Sequence, residues 1–330
     1  MLTVHVGLHK TGSTAIQSYL AKLPGGQRTG FSYLGVNKKN LLGSNGTERP
    51  KTQEQWRQLT TGILESRRHV VISDEDILGS PWGKGPMYSN ALERAAEVYS
   101  AFDGLTNFQV VMYLRPQHQW FESAYTQMIQ MGKVIEAEEF VSRHVASRNA
   151  MYSRLVYDLK SVLGSDRLVV RAYPQETNVV DDFLTLIEIP KVSALVKVPR
   201  INRSINPAQV ELLRLMYELT DNQQGPLPAR WFFQKYGSAG LLSDCSVLPE
   251  ALQEKLIGLA IEDWPLLVRE VEGTRLSEPG VFREIAEGLG RATIRPHIGL
   301  PIYKDEITRA AVRALLIAVP KATAWDKRPK

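Results

Sequence analysis

The segment LTVHVGL, Leu2 to Leu8, is apolar and β-branched and runs into a glycine turn. Directly after it, Ile16, Tyr19, Leu20 and Leu23 recur at helical spacing within Ser13 to Leu23. A change of period from two to 3.6 over so few residues commits the chain to a strand, a tight turn and a helix. The same alternation repeats. HVVIS (His69 to Ser73), FQVVMYLR (Phe108 to Arg115) and DRLVVRAYP read as further strands. Helical spacing covers Gln53 to Ser66, Ser89 to Phe102, the residues after Pro116, Tyr152 to Leu163, the short run opened by Asn178, and the run opened by Asn206-Pro207. Phe108 to Arg115 is nearly all apolar, as a strand buried on both faces must be. Strands alternating with helices predict an α/β fold, a central mostly parallel sheet flanked by helices. The stretch PGGQRTGFSYLGVNKKNLLGSNGTERPK is rich in Gly, Asn and Lys and reads as a long loop. Beyond about Thr220 strand signals fade, and PEALQEKLIGLAIEDW and DEITRAAVRALLIAV read as amphipathic helices. The expected organisation is a core over 1–220 and a helical C-terminal extension over 221–330, packed on it.

Composition narrows the function classes. A hydrophobic share of 43% and a charged share of 23% are those of a globular chain. The net charge of +5 suits an anionic ligand and does not call for nucleic acid. A single cysteine, Cys245, leaves no internal disulfide. No apolar run is long enough to span a bilayer, and LTVHVGL lacks a cleavage region, so a cytoplasmic protein is expected. No His pairs with Cys or Glu at metal-ligand spacing, so no metal is expected. His5 alternates with the inward residues of its strand and reads as a core histidine. His118 and His144 read as solvated helix residues.

The turn itself, GLHKTGST (Gly7 to Thr14), is where chemistry is expected. The first N–H groups of a helix are unpaired and carry partial positive charge, so strand, glycine turn and helix form an anion trap. Gly12 lets the backbone approach a phosphate, Thr11, Ser13 and Thr14 stand at the helix start, and Lys10 adds a mobile charge. A P-loop NTPase requires Gly-Lys-Ser/Thr in that order. Here Lys10 precedes Gly12.

The run Lys10 to Thr14 resembles the 5'-phosphosulfate loop of sulfotransferases that use 3'-phosphoadenosine 5'-phosphosulfate, whose pattern is Lys-x-Gly-(Ser/Thr)-Thr. The second signature of that family is an Arg at the end of a buried strand and a Ser eight positions later. In YLRPQHQWFESAY, Arg115 and Ser123 stand in that relation. VPRINRSINPAQVELLRLM resembles the segment that closes over the nucleotide in bacterial members, which brings in Arg200 and Arg203. The resemblance covers about residues 1–220. It implies a P-loop NTPase-like sulfotransferase fold, a donor held by Lys10, Thr11, Gly12, Ser13, Thr14, Arg115, Ser123, Arg200 and Arg203, and no metal. The implied acceptor is a small molecule or glycan presenting a hydroxyl, with a carbohydrate favoured. A P-loop-type kinase and a non-catalytic nucleotide-binding regulator are the alternatives.

A hydroxyl that attacks sulfur must lose its proton, so a general base is expected near the loop. ISDEDIL ends the second predicted strand at the same sheet edge. Bacterial sequences similar to this one carry Ser-x-Glu there, which Ser73-Asp74-Glu75 matches. Glu75 is the expected base. Asp74 and Asp76 flank it and are alternatives for the role, turned the other way by the strand's alternation, and His9, beside Lys10, is the main competitor. Trp82 is a candidate lining residue for the acceptor.

Overall fold

The computed structural model describes residues 1–23, 31–35, 58, 61, 69–82, 85–105, 107–174, 178–189, 205–219, 245–274 and 277–297. Strand β1 (Leu2–Gly7) leads through the glycine turn into α1 (Ser13–Leu20). Then follow β2 (Phe31–Gly35), β3 (His69–Ser73), α2 (Ala91–Phe102) and β4 (Phe108–Leu114). After β4 come α3 (Gln117–Gln130), α4 (Ala137–Val145), a 3-10 turn (Arg148–Ala150), α5 (Tyr152–Leu163), β5 (Leu168–Ala172) and α6 (Val179–Leu186). The chain continues with α7 (Pro207–Leu219), α8 (Glu250–Glu272) and α9 (Pro279–Leu289).

The five strands form one sheet in the order β2-β3-β1-β4-β5, and every pairing is parallel. The expected α/β architecture is what the chain adopts, with helices continuing into its C-terminal part. β1, β3 and β4 have neighbours on both sides, and β1 and β4 are buried along their whole length. Parallel crossovers are right-handed, so successive helices fall on opposite faces when the chain changes direction along the sheet. On one face Val71, Val111, Tyr113 and Val169 pack with Ile16, Tyr19 and Leu20 of α1 and Val179, Phe183 and Leu184 of α6. On the other, Phe108 meets the rings of Tyr99 and Phe102 of α2, at 6.4 and 6.1 Å between centroids. The chain leaves β1 toward β2 and leaves β3 toward β4, in opposite directions. The carboxyl ends of β1 and β3 therefore flank a topological switch point, the place where open α/β sheets hold ligands.

The chain forms two compact units. One comprises Met1–Gln117, Arg143–Ile201 and Gly258–Arg291; the other comprises His118–Ser142, Asn202–Ile257 and Ala292–Lys330. In the first, the buried carboxylate of Asp263 caps α5. It accepts the backbone N–H groups of Tyr152 at 2.6 Å and Ser153 at 3.0 Å, and the Gln117 amide at 2.7 Å. The Trp264 indole N–H donates to the same Gln117 at 2.8 Å. Burial pushes the Asp263 carboxyl above its usual range, against the pull of these donors. In the second unit, Phe140 packs against Phe121 and Tyr125, and the Glu122 carboxylate takes Ser246 and Arg295.

Two sequence expectations change. Phe31 to Gly35, expected inside a loop, is an edge strand paired residue for residue with β3. Five residues with a neighbour on one side carry little pattern of their own, and pairing to β3 supplies what the local composition does not. His144, expected in solvent, is fully buried, and burial lowers its pKa to about 4. The predicted helix DEITRAAVRALLIAV lies outside the described residues, as does most of the one over Gln53 to Ser66.

Candidate functional site

The turn between β1 and α1 is held from three sides. Leu8 N–H donates to the Tyr113 carbonyl of β4 at 3.1 Å, and the Thr11 hydroxyl donates to the Leu8 carbonyl at 2.5 Å. Gly12 is the N-cap of α1, with φ 82°, and no side chain caps that end. A β-carbon at Gly12 would lie 2.6 Å from Val179 Cγ1 and 3.3 Å from the Tyr173 ring. Only glycine fits both that backbone and that space. No acidic residue stands in the first turn of α1, so the positive end of the helix faces the turn unneutralised from within. Lys10 is half-buried and adopts a left-handed backbone, φ 63°. Such a conformation in a non-glycine residue is costly and concentrates at ligand-binding turns. Thr11 and Ser13 are buried, while Thr14 is half-buried.

His9, beside that lysine, is 3% exposed and held at its backbone N–H and both ring nitrogens. Its backbone N–H donates to the Tyr88 hydroxyl at 2.9 Å, and its Nδ1 lies 3.1 Å from the same oxygen. Its Nε2 lies 2.9 Å from Asp76 Oδ1. Burial raises the Tyr88 pKa, which keeps the phenol protonated and able to donate. A carboxylate only accepts, so Nε2 carries the hydrogen toward Asp76 and Nδ1 accepts from Tyr88. Tyr88 is itself anchored, its carbonyl accepting the Asn149 amide at 2.5 Å. The edge of the imidazole meets the ring of half-buried Trp82, 5.5 Å between centroids.

The three acids after β3 have three different settings. Asp74 turns back to accept Asp76 N–H at 3.0 Å and so shapes the turn. Asp76 holds His9. Glu75, 9% exposed, packs its Cβ against Gly7, where an added β-carbon would come within 3.1 Å of it. Its Oε2 accepts the Gln17 side-chain amide of α1 at 2.8 Å. Below it, His5 bonds the Ser73 hydroxyl at 2.8 Å, and burial lowers its pKa to about 4, so it is a neutral core histidine.

Arg115 follows the last residue of β4. Its guanidinium carbon lies 5.4 Å from the centroid of Tyr173, the ring that bounds Gly12. The fold thus gathers Lys10, Thr11, Gly12, Ser13, His9, Glu75 and Arg115 at one edge of the sheet. Ser123 lies half-buried on α3 in the second unit. Arg200 and Arg203 lie outside the described residues. Among the described residues, no group of three or more His, Cys, Asp or Glu is arranged to hold a metal ion. No described helix is long and apolar enough to cross a membrane.

No protein-family model matches the chain, and no curated protein sequence does. A structural match is found. The chain is similar to a crystal structure of a sulfotransferase from Alicyclobacillus acidocaldarius, at 13% identity and a TM-score of 0.43, over 85% of this chain and 98% of that one.

Sequence reasoning missed Gln17, Tyr88 and Asp76 as partners of the site. Their sequence separations from the groups they hold are 58, 79 and 67 residues, and no local pattern signals such pairs.

Proposed function

We propose that the chain is a sulfotransferase that moves a sulfuryl group from 3'-phosphoadenosine 5'-phosphosulfate to a hydroxyl, with a carbohydrate as the favoured acceptor. The observation that carries this reading is the anion turn of Lys10 to Thr14 with a buried carboxylate, Glu75, packed against its entry glycine. A site built only to hold an anion gains nothing from a carboxylate there, since like charges repel. A site that must both hold an anion and take a proton needs both groups.

In this reading the turn's N–H groups and Lys10 hold the 5'-phosphosulfate and stabilise charge on the leaving phosphate. Arg115 grips the 3'-phosphate through paired N–H donors. The acceptor oxygen attacks sulfur in line. As the new S–O bond forms, Glu75 takes the hydroxyl proton and the old S–O bond breaks, its electron pair leaving with the phosphate. His9 has a hydrogen bond at each ring nitrogen and serves to fix the turn, which leaves Glu75 as the base. Lys10 before Gly12 departs from the NTPase order, and the carbohydrate acceptor rests on resemblance to relatives with an acidic base.

The test is transfer of a labelled sulfuryl group to a panel of sugar, phenol and amine acceptors, run beside phosphoryl transfer from ATP. Label in a hydroxyl acceptor with release of adenosine 3',5'-bisphosphate is expected. Phosphoryl transfer from ATP in its place would make the chain a kinase.

A further inference from the structure

The base proposed above does not stand alone, and its partner lies on the helix that opens at the anion turn. We infer that Gln17 is a positioning residue, whose amide orients the Glu75 carboxylate and holds it in its proton-accepting form. The inference rests on the reading of Glu75 as the base.

Gln17 is half-buried one turn into α1. Its Nε2 lies 2.8 Å from Glu75 Oε2 and 3.4 Å from the Ser73 carbonyl oxygen. A backbone carbonyl only accepts, so the NH2 end of the amide must face it, and that same end then faces Glu75. The bond to the carboxylate is therefore a donation. A donated hydrogen bond favours the charged form of a carboxylate. On the opposite side Gly7 holds the Glu75 Cβ in place. The carboxylate is thus fixed between β1 and the first turns of α1, and any change in the seating of α1 reaches it through Gln17.

Glu75 is electrostatically coupled to His5 of β1, Tyr33 of β2 and Tyr88. Burial keeps His5 neutral at ordinary pH and both phenols protonated. Asp74 and Asp76 adjoin Glu75 in sequence and repel a charge on it. His9 faces Asp76, and Lys10 follows His9 in the turn. Two acids beside a buried third raise the cost of ionising it, and the Gln17 amide opposes that cost.

The experiment is a carboxyl-detected NMR titration of protein labelled at glutamate, with Glu75→Gln assigning the signal. Gln17→Met keeps the length and removes the donor, and Gln17→Glu replaces the donor with a further acid. The Glu75 midpoint is expected to rise by about one pH unit in Gln17→Met, the scale of one hydrogen bond to a charged group, and further in Gln17→Glu. Midpoints equal to wild type in both variants would overturn the inference. The acid limb of the turnover profile is expected to move with the midpoint, while affinity for adenosine 3',5'-bisphosphate stays within about twofold, below half a kcal/mol. A midpoint that moves while the limb stays would remove Gln17 from the reaction and so overturn the inference. Absence of transfer in the wild type would sink the sulfotransferase reading, and the titration would still decide whether Gln17 sets the ionisation of Glu75.

Discussion

A buried imidazole with a hydrogen bond at each nitrogen has no lone pair left for a substrate proton. His9 is in that state, whereas Glu75 is a carboxylate that accepts from the Gln17 amide. The two residues therefore answer differently to mutation. Glu75→Gln keeps the size and removes the proton acceptor; turnover is expected to fall about 100-fold or more with affinity for the bisphosphate unchanged. Steady-state rates and calorimetry on the same preparation check both halves. Tyr88→Phe removes the hydroxyl that serves both the backbone and the ring of His9. It is expected to cost about 1–3 kcal/mol in denaturant melts, because two polar groups in a 3% exposed residue lose their partner. At this scale the sequence made the position of the turn legible, since Gly7 to Thr14 stands where an apolar β-branched run gives way to helical spacing. The groups that hold the turn were not legible: Tyr88 reaches His9 across 79 residues, and nothing near Tyr88 announces it.

Between elements, the start of α1 packs closely against the start of α6. Gly12 and Val179 meet there with no room for a β-carbon, and the Gly12 backbone is left-handed. Gly12→Ala is expected to destabilise the protein by about 1–3 kcal/mol through overpacking and backbone strain together. Adding Val179→Ala should recover the packing part and leave the strain part, which a double-mutant cycle in urea separates. Strands with strong apolar runs, β1, β3, β4 and β5, were readable because burial on both faces leaves a dense signal. β2 was not, because FSYLG gains its place from pairing with β3 at the sheet edge. The helix starts were readable where a side chain or Pro marks them. Asn178 caps α6 by accepting Val180 N–H at 3.0 Å, and Pro207 opens α7. The cap on α5 was not, because Asp263 comes from 111 residues away.

At the scale of the whole molecule, burial shifts four described histidines in the same direction. His5, His69 and His144 have folded pKa values lowered to about 4, and His297 is lowered as well. An unfolded histidine titrates near 6.5, so between these values the unfolded chain binds protons that the folded chain refuses. Stability is therefore expected to be full above about pH 6.5 and to fall as pH drops toward 4, by on the order of 3 kcal/mol for His5 alone. Urea midpoints measured from pH 7.5 to 4.5 check this, and a flat profile would contradict it. The central claim concerns the donor, and it is tested most directly by calorimetric titration of the wild type and Arg115→Ala with adenosine 3',5'-bisphosphate, adenosine 5'-phosphate and ATP. The account predicts that the bisphosphate binds tightest to the wild type. It also predicts that Arg115→Ala loses about 2–4 kcal/mol on the bisphosphate and much less on the 5'-phosphate, since only the bisphosphate offers a second anion to the guanidinium. Equal losses on both nucleotides, or tighter binding of ATP than of the bisphosphate, would contradict it.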